Sequence, residues 1–136
     1  MPKNLVFIYG TLMSDYWNHY LLDPAKHDSS KFIGGGVTLK KYSMKAYHYP
    51  VVFDKPAETH IVGEVYSVSG DTLSALDKLE GVPNFYFRRL EKIRLDKKKT
   101  IEAWVYFGSK NFSAVMFKPV PSGNFRRFKS TNSFMK

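Results

Sequence analysis

The sequence predicts a small α+β domain whose sheet is mostly antiparallel and barrel-like. Five or six strand-like segments occur with only two or three short helical ones, and they do not alternate as in βαβ repeats. Two of the strands, residues 85–95 and 101–107, flank a charged turn and predict a hairpin. The 136 residues are 43% hydrophobic and 16% aromatic, which suits one compact domain. We place this domain at residues 1–128, followed by a basic, flexible tail at residues 129–136.

The strands are predicted from short apolar runs rich in β-branched and aromatic residues. Three consecutive glycines, residues 34–36, predict a bulge or a tight backbone within one strand. They do not predict a phosphate-binding loop, because no Gly-Lys-Ser/Thr follows them. The predicted strands cover residues 4–9, 32–39, 51–53, 61–68, 85–95 and 101–107, and residues 12–22 predict an irregular loop with a short helix.

A short helix is predicted between Ser69 and Glu80. Ser69 is a candidate N-cap, and Gly81 stands where a left-handed C-terminal residue belongs, with Pro83 shortly after it. Apolar residues recur at a spacing that gives one stripe facing the core: Leu73, Leu76 and Leu79.

Glu80 closes this helix, where an ionised carboxylate is poorly stabilised. The unpaired carbonyls of the helix end carry partial negative charge, and Asp77 lies three residues earlier, so we expect a raised pKa for Glu80. Such a carboxyl group can accept and donate a proton within one catalytic cycle. The alternative is a solvated glutamate at a frayed helix end, and the local pattern alone favours that alternative.

The net charge of +9 is concentrated in two segments. Residues 84–99 hold seven Lys and Arg against two acids, and residues 118–136 hold five with no acid. A basic face can bind nucleic acid through phosphate contacts, or it can be an ordinary solvated surface, which we favour. Phe125 and Phe128, beside Arg126 and Arg127, support the nucleic-acid alternative if they are exposed.

The residue types present limit the chemistry. The chain has no cysteine, which excludes disulfides, thiolate metal sites and a cysteine nucleophile and favours a cytoplasmic location. The four histidines lack the spacing of a zinc site, so we expect neither a metal nor a cofactor. No apolar run is long enough for a membrane span, and we expect a monomer or a weak dimer.

Several short motifs occur in one order along the chain and together resemble the γ-glutamylcyclotransferase-like, or AIG2-like, superfamily. No single motif is specific, but their order and gaps are similar to those of the family over nearly the whole chain. The motifs are Phe-Ile-Tyr-Gly-Thr-Leu at residues 7–12, Tyr-Pro at 49–50, Gly-Glu-Val-Tyr at 63–66, Leu-Asp-Lys-Leu-Glu-Gly at 76–81, Tyr-Phe-Arg at 86–88, Ala-Trp-Val-Tyr at 103–106 and Ser-Gly-Asn-Phe at 122–125.

The resemblance implies a mixed β-barrel flanked by short helices and a cyclising reaction. A small-molecule γ-glutamyl substrate would form 5-oxoproline and release an amine, as in an acyltransferase or lyase. The resemblance assigns Glu80 as the general acid/base, which reverses our preference for a solvated glutamate. It also assigns substrate and oxyanion binding to backbone N–H groups of the loop formed by Tyr9, Gly10, Thr11 and Leu12.

Other side chains stay open between substrate binding and structure. Arg88 could bind the substrate carboxylate, or it could form an ion pair with Asp77. Tyr86, which shares a strand face with Arg88, and Tyr106 are candidate substrate-binding residues; for Tyr9 and Tyr106 a core aromatic role is equally favoured. Residues 10–35 and 108–128 are expected to form the pocket rim, and their basic character would suit an acidic substrate.

Overall fold

The computed structural model describes residues 4–10, 13, 30–96 and 98–131. The described residues form eight strands and two helices. In chain order these are β1 (Asn4–Ile8), β2 (Lys31–Thr38), β3 (Ser43–Ala46), β4 (Pro50–Phe53), β5 (Val62–Val68), α1 (Gly70–Glu80), β6 (Tyr86–Leu95), β7 (Thr100–Gly108), β8 (Lys118–Pro119) and α2 (Phe125–Thr131).

Five strands close into a barrel in the order β1-β5-β2-β6-β7. The barrel closes where β1 pairs in parallel with β7, with Val6 opposite Trp104 and Phe7 opposite Val105. The other barrel pairs are antiparallel, and β6 and β7 form the predicted hairpin. The prediction of an α+β fold with a small mixed, mostly antiparallel barrel is therefore confirmed. A second sheet has the order β4-β3-β8.

The predicted bulge lies in β2. Its pairing with β5 shifts between Phe32, which is opposite Tyr66, and Gly34, which is opposite Val65. Two residues of β2 thus lie opposite one residue of β5. Such a bulge bends the strand and increases its twist. The bend helps a sheet of only five strands to close on itself.

Helix α1 begins and ends where the sequence predicts. The side chain of Ser69 accepts a hydrogen bond from the backbone N–H of Thr72, and Gly81 adopts a left-handed conformation with φ of 67°. The predicted apolar stripe is wrong at its last member, because Leu73 and Leu76 are buried whereas Leu79 is 42% exposed. At about 100° per residue, Leu79 lies about 120° from Leu73 around the helix. Glu80 lies between Leu73 and Leu76 in the same projection and faces inward instead.

The polar and basic segment from Ser122 onward contains a helix that packs on the core. Residues Phe125–Thr131 form α2, and the side chains of Phe125 and Phe128 are 0% and 8% exposed. Their spacing of three puts both rings on one helix face, where they stack with centroids 6.5 Å apart. Arg126 lies beside them and forms an ion pair of 3.0 Å with Glu64 of β5. The two aromatics are therefore unavailable for stacking on nucleic-acid bases.

Helix α2 continues past the domain boundary that we placed at residue 128, and residues 132–136 of the predicted tail lie outside the described residues. Neither helix in the part of the chain that the structure describes has the length and apolar character needed to cross a membrane.

Candidate active site

Glu80 is partly buried at the end of α1, and burial raises the pKa of its carboxyl group to about 7. The direction agrees with the sequence analysis, but the cause is different. We expected the helix end and the charge of Asp77 to raise this pKa, whereas the largest cause is loss of solvation. Glu80 follows Leu76 by four residues, so the helix turns it toward the core with the buried stripe.

The carboxylate of Asp77 is occupied by two partners. Arg88 donates to it from Nε to Oδ1 at 2.9 Å and from Nη2 to Oδ2 at 3.1 Å. The hydroxyl of Tyr106 donates to the same Oδ1 atom at 2.7 Å. The paired guanidinium compensates the charge of Asp77, which explains why this residue is not the source of the pKa shift at Glu80.

Three tyrosines lie within electrostatic range of the Glu80 carboxyl group. Burial is the largest cause of the raised pKa values of Tyr9, Tyr86 and Tyr106, and in each case the charge of Glu80 raises the pKa further. The structure therefore brings Glu80 together with three of the residues that the sequence analysis named as substrate-binding candidates. They come from β6, β7 and the residue after β1, so the barrel and not the local sequence assembles this group.

Each of these hydroxyl groups donates its proton to a protein acceptor. Tyr9 donates to the backbone carbonyl of Tyr106 at 2.6 Å, and Tyr86 donates to that of Pro50 at 2.8 Å. Tyr106 donates to Asp77. With their protons used in this way, the three oxygens can only accept further hydrogen bonds. Tyr9 already accepts one from the backbone of Val52, so it braces the second sheet against the barrel.

The loop after β1 begins at Tyr9, which is buried, and turns at Gly10. The backbone carbonyl of Gly10 accepts a hydrogen bond from the N–H of Met13 at 3.0 Å. Gly10 packs so closely on Pro50 that a Cβ atom would lie 2.8 Å from both its Cγ and Cδ atoms. Thr11 and Leu12, the other predicted members of this loop, lie outside the described residues.

Arg88 forms the ion pair with Asp77 that we named as the alternative to substrate binding. Besides its bidentate ion pair with Asp77, the guanidinium stacks over the ring of Trp104, with its central carbon 4.3 Å from the ring centroid. It therefore links α1 to the β6–β7 hairpin at a point three residues before Glu80.

The basic face predicted at residues 84–99 is partly neutralised by ion pairs. Arg89 bonds in a bidentate manner to Asp54, at 3.0 and 2.5 Å, and also to Glu91 at 2.7 Å. With Arg88 bound to Asp77, two of the three arginines of this segment are ion-paired. This weakens the nucleic-acid alternative, which needs unpaired cations for phosphate contacts.

Sequence reasoning named Asp77 as a charge near Glu80 and as a possible partner of Arg88, but it missed the Tyr106 hydroxyl that binds the same carboxylate. The aromatic residues Phe112 and Phe117 were not considered; Phe112 packs on Tyr86 with centroids 5.3 Å apart.

Comparison with known proteins gives a consistent assignment. The family model described as gamma-glutamyl cyclotransferase, AIG2-like, matches residues 6–127. A Methanocaldococcus jannaschii protein that is provisionally named a gamma-glutamylcyclotransferase is 47% identical over 104 residues, covering 75% of this chain and 82% of that protein. Human gamma-glutamylaminecyclotransferase is 35% identical over 95 residues, covering 67% of this chain and 62% of that protein.

Solved structures show the same fold. A mouse AIG2-like protein superposes with a TM-score of 0.75 at 22% identity, covering 90% of this chain and 88% of that one. YkqA from Bacillus subtilis superposes with a TM-score of 0.74 at 28% identity over 98% of this chain and 43% of its own length. The chain therefore belongs to the gamma-glutamyl cyclotransferase, AIG2-like family, and it is an enzyme of the cyclotransferase type.

Proposed function

We propose that this protein converts a γ-glutamyl amide to 5-oxoproline and a free amine, with Glu80 as the general acid/base. The observation that supports this most is the carboxyl group of Glu80, whose burial raises its pKa to about 7 among Tyr9, Tyr86 and Tyr106. A group that titrates near neutral pH exists in both protonation states under working conditions, as a reversible proton carrier requires.

The reaction starts with the substrate's α-ammonium group, which cannot attack while protonated. The ionised Glu80 accepts a proton from it, and the α-nitrogen then forms a bond to the γ-carbonyl carbon, closing a five-membered ring. The carbonyl π electrons move to oxygen and give a tetrahedral oxyanion. Backbone N–H groups of the loop formed by Tyr9, Gly10, Thr11 and Leu12 are proposed to stabilise that oxyanion.

Collapse of the tetrahedral intermediate breaks the original C–N bond. Protonated Glu80 donates its proton to the departing nitrogen, and the second proton lost by the α-nitrogen reaches the same amine through Glu80 in its turn. The products are 5-oxoproline and an ammonium ion, no water is consumed, and Glu80 returns to its starting state. One carboxyl group thus serves as base and then as acid.

The tyrosines have distinct roles in this proposal. Because the protons of Tyr86 and Tyr106 are held by Pro50 and Asp77, their oxygens present lone pairs that can accept from the substrate's α-ammonium group. Arg88 is a positioning residue that holds Asp77, and through it Tyr106, in place. The substrate carboxylate then depends on donors elsewhere, for which we propose the same backbone loop.

The test is release of 5-oxoproline from a panel of γ-glutamyl amino acids, γ-glutamyl-amines and glutathione. The panel includes γ-glutamyl-amines because human gamma-glutamylaminecyclotransferase is a relative. Wild type should turn over at least one compound, and Glu80→Gln should lower kcat by about 100-fold or more. Glu102→Gln, an exposed glutamate on β7, is the matched control and should be unaffected.

The pH dependence adds a second readout on the same residue. With an ionised Glu80 required in the free enzyme, kcat/KM should rise with pH and reach half its plateau near the pKa of about 7. Turnover by Glu80→Gln at the wild-type rate would remove Glu80 from the mechanism, and a half-plateau near pH 4.5 would show that its pKa is not raised.

A further inference from the structure

The loop of residues 109–117 connects β7 to β8 and is anchored to the segment that follows Glu80. The Ser109 hydroxyl donates to the backbone carbonyl of Asn84 at 2.6 Å, and its N–H donates to that of Phe85 at 2.9 Å. The loop therefore has a fixed position relative to the candidate base. Its sequence contains a single charged residue, Lys110.

An unbroken run of aromatic rings leads from the site along this loop to the surface. Phe112 packs edge-on against Tyr86 at 5.3 Å and against Phe117 at 5.5 Å between centroids. Phe117 in turn packs edge-on against Tyr49 at 5.3 Å. Tyr49 also precedes Pro50, whose carbonyl accepts the hydrogen bond of the Tyr86 hydroxyl at 2.8 Å.

The outer end of this run carries apolar side chains that the fold leaves in solvent. A turn closed by the hydrogen bond from the Phe117 N–H to the Ala114 carbonyl at 3.0 Å presents Val115 and Met116, which are 87% and 69% exposed. Single exposed apolar residues are common, but two at the tip of a loop whose aromatic rings run back to Tyr86 indicate a contact surface.

We propose that a surface of three aromatic and two aliphatic side chains, here called the aromatic wall, binds the amine portion of the substrate. The wall is formed by Tyr49, Phe112, Val115, Met116 and Phe117. It selects γ-glutamyl compounds whose leaving amine is apolar or aromatic. The inference rests on the proposed function. It differs from the expectation of a basic rim suited to acidic substrates, because residues 111–117, within the 108–128 part of that rim, carry no charge. An acidic leaving group would gain no ion pair from them and would lose hydration.

The physical consequence is a difference in transition-state binding. An apolar side chain that packs on the wall is removed from contact with water, and so are Val115 and Met116. A pocket contact of this size changes kcat/KM by about 10-fold to 100-fold. A γ-glutamyl compound with glycine as its amine portion has no side chain to place there.

The experiment compares γ-glutamyl-phenylalanine with γ-glutamyl-glycine and γ-glutamyl-aspartate as substrates of the full chain, measured by 5-oxoproline release. We expect kcat/KM for the phenylalanine compound to exceed that for the other two by about tenfold or more. The double variant Val115→Ser/Met116→Ser should lose most of that preference through a lower kcat/KM for γ-glutamyl-phenylalanine. Both residues are largely exposed, so the variant should fold.

Leu39→Ser is the matched control. Leu39 is an exposed hydrophobic residue whose N–H donates to the backbone carbonyl of Lys92, six residues along β6 from Tyr86. It should leave the preference unchanged. Equal or better turnover of the glycine or aspartate compound, or a preference that survives the double substitution, would overturn the inference.

Binding to Glu80→Gln separates this inference from the proposed function. The aromatic wall predicts tighter calorimetric binding of γ-glutamyl-phenylalanine than of γ-glutamyl-glycine to this variant, whether or not the wild type cyclises either compound. Absence of 5-oxoproline from every substrate would refute the proposed function alone, whereas equal binding of the two compounds would refute the wall.

Discussion

Asp77 and Tyr106 are joined by a hydrogen bond of 2.7 Å between residues that are 29 positions apart in the chain. Asp77 lies one helical turn before Glu80, and Tyr106 lies on β7 of the barrel, so this bond fixes the end of α1 against the barrel wall. Arg88 binds the same carboxylate from β6. The position of Glu80 therefore depends on a partly buried polar contact as well as on the leucines of its own helix.

Asp77→Asn should test that dependence. The substitution keeps the shape of the side chain but leaves the Arg88 guanidinium without its carboxylate, so we expect the free energy of unfolding to fall by about 1–3 kcal/mol. Urea denaturation measures the change. Asp54→Asn is the control, because the Asp54–Arg89 pair is more exposed and should cost less than about 1 kcal/mol. Equal costs at the two sites would mean that the Asp77 contact does not anchor the helix.

Glu80→Gln should change how stability depends on pH. A carboxyl group whose pKa rises from 4.5 to about 7 on folding stabilises the folded state fully at low pH, and that contribution is lost as pH rises through 7. Gln does not titrate, so the variant should gain stability relative to wild type between pH 4 and pH 8, by about 1–3 kcal/mol. Urea midpoints at the two pH values measure this gain. Glu102→Gln should show no such pH-dependent difference in stability. If Glu80→Gln also showed none, Glu80 would be solvated.

Gly10→Ala should disturb the site through Pro50. The added Cβ atom would lie 2.8 Å from two ring carbons of Pro50, whose carbonyl holds the Tyr86 hydroxyl. Because proline is rigid, the loop must shift, and we expect a loss of about 1–3 kcal/mol in stability together with lower activity. Thermal unfolding and the 5-oxoproline assay measure these effects.

Gly70→Ala is the matched control for this substitution. Nothing lies within 4 Å of a Cβ atom there, and the residue opens α1. The substitution should be neutral or stabilise the protein by up to about 1 kcal/mol. If both alanine variants behaved alike, the contact between Gly10 and Pro50 would not matter.

Phe125→Ala should test whether α2 belongs to the core. The side chain is fully buried, and removing it should cost about 3–5 kcal/mol. Phe85→Ala removes an aromatic side chain that is 61% exposed and should cost less than about 1 kcal/mol. A neutral effect at Phe125, measured by urea denaturation, would mean that α2 does not belong to the core.

The elements that the sequence predicted well are those whose signals are local. A strand or a helix cap is determined by a few adjacent side chains, so α1 begins after Ser69 and ends before Gly81 as predicted. The bulge in β2 follows in the same way from its glycines. Helix α2 was not predicted, because its basic residues suggested a solvated segment. The two phenylalanines that hold it to the core have long-range partners that composition does not indicate.

The chain by itself determined six of the eight described strands, the caps of α1, the family resemblance and the identity of Glu80 as the residue to examine. Only the tertiary structure decided the cause of the raised pKa of Glu80, the pairing of Arg88 with Asp77, and the contact of Tyr9 with Tyr106 across 97 positions. Solvation and hydrogen bonding depend on which atoms meet in space. Barrel closure brings β1 beside β7, although most of the chain separates these two strands in sequence.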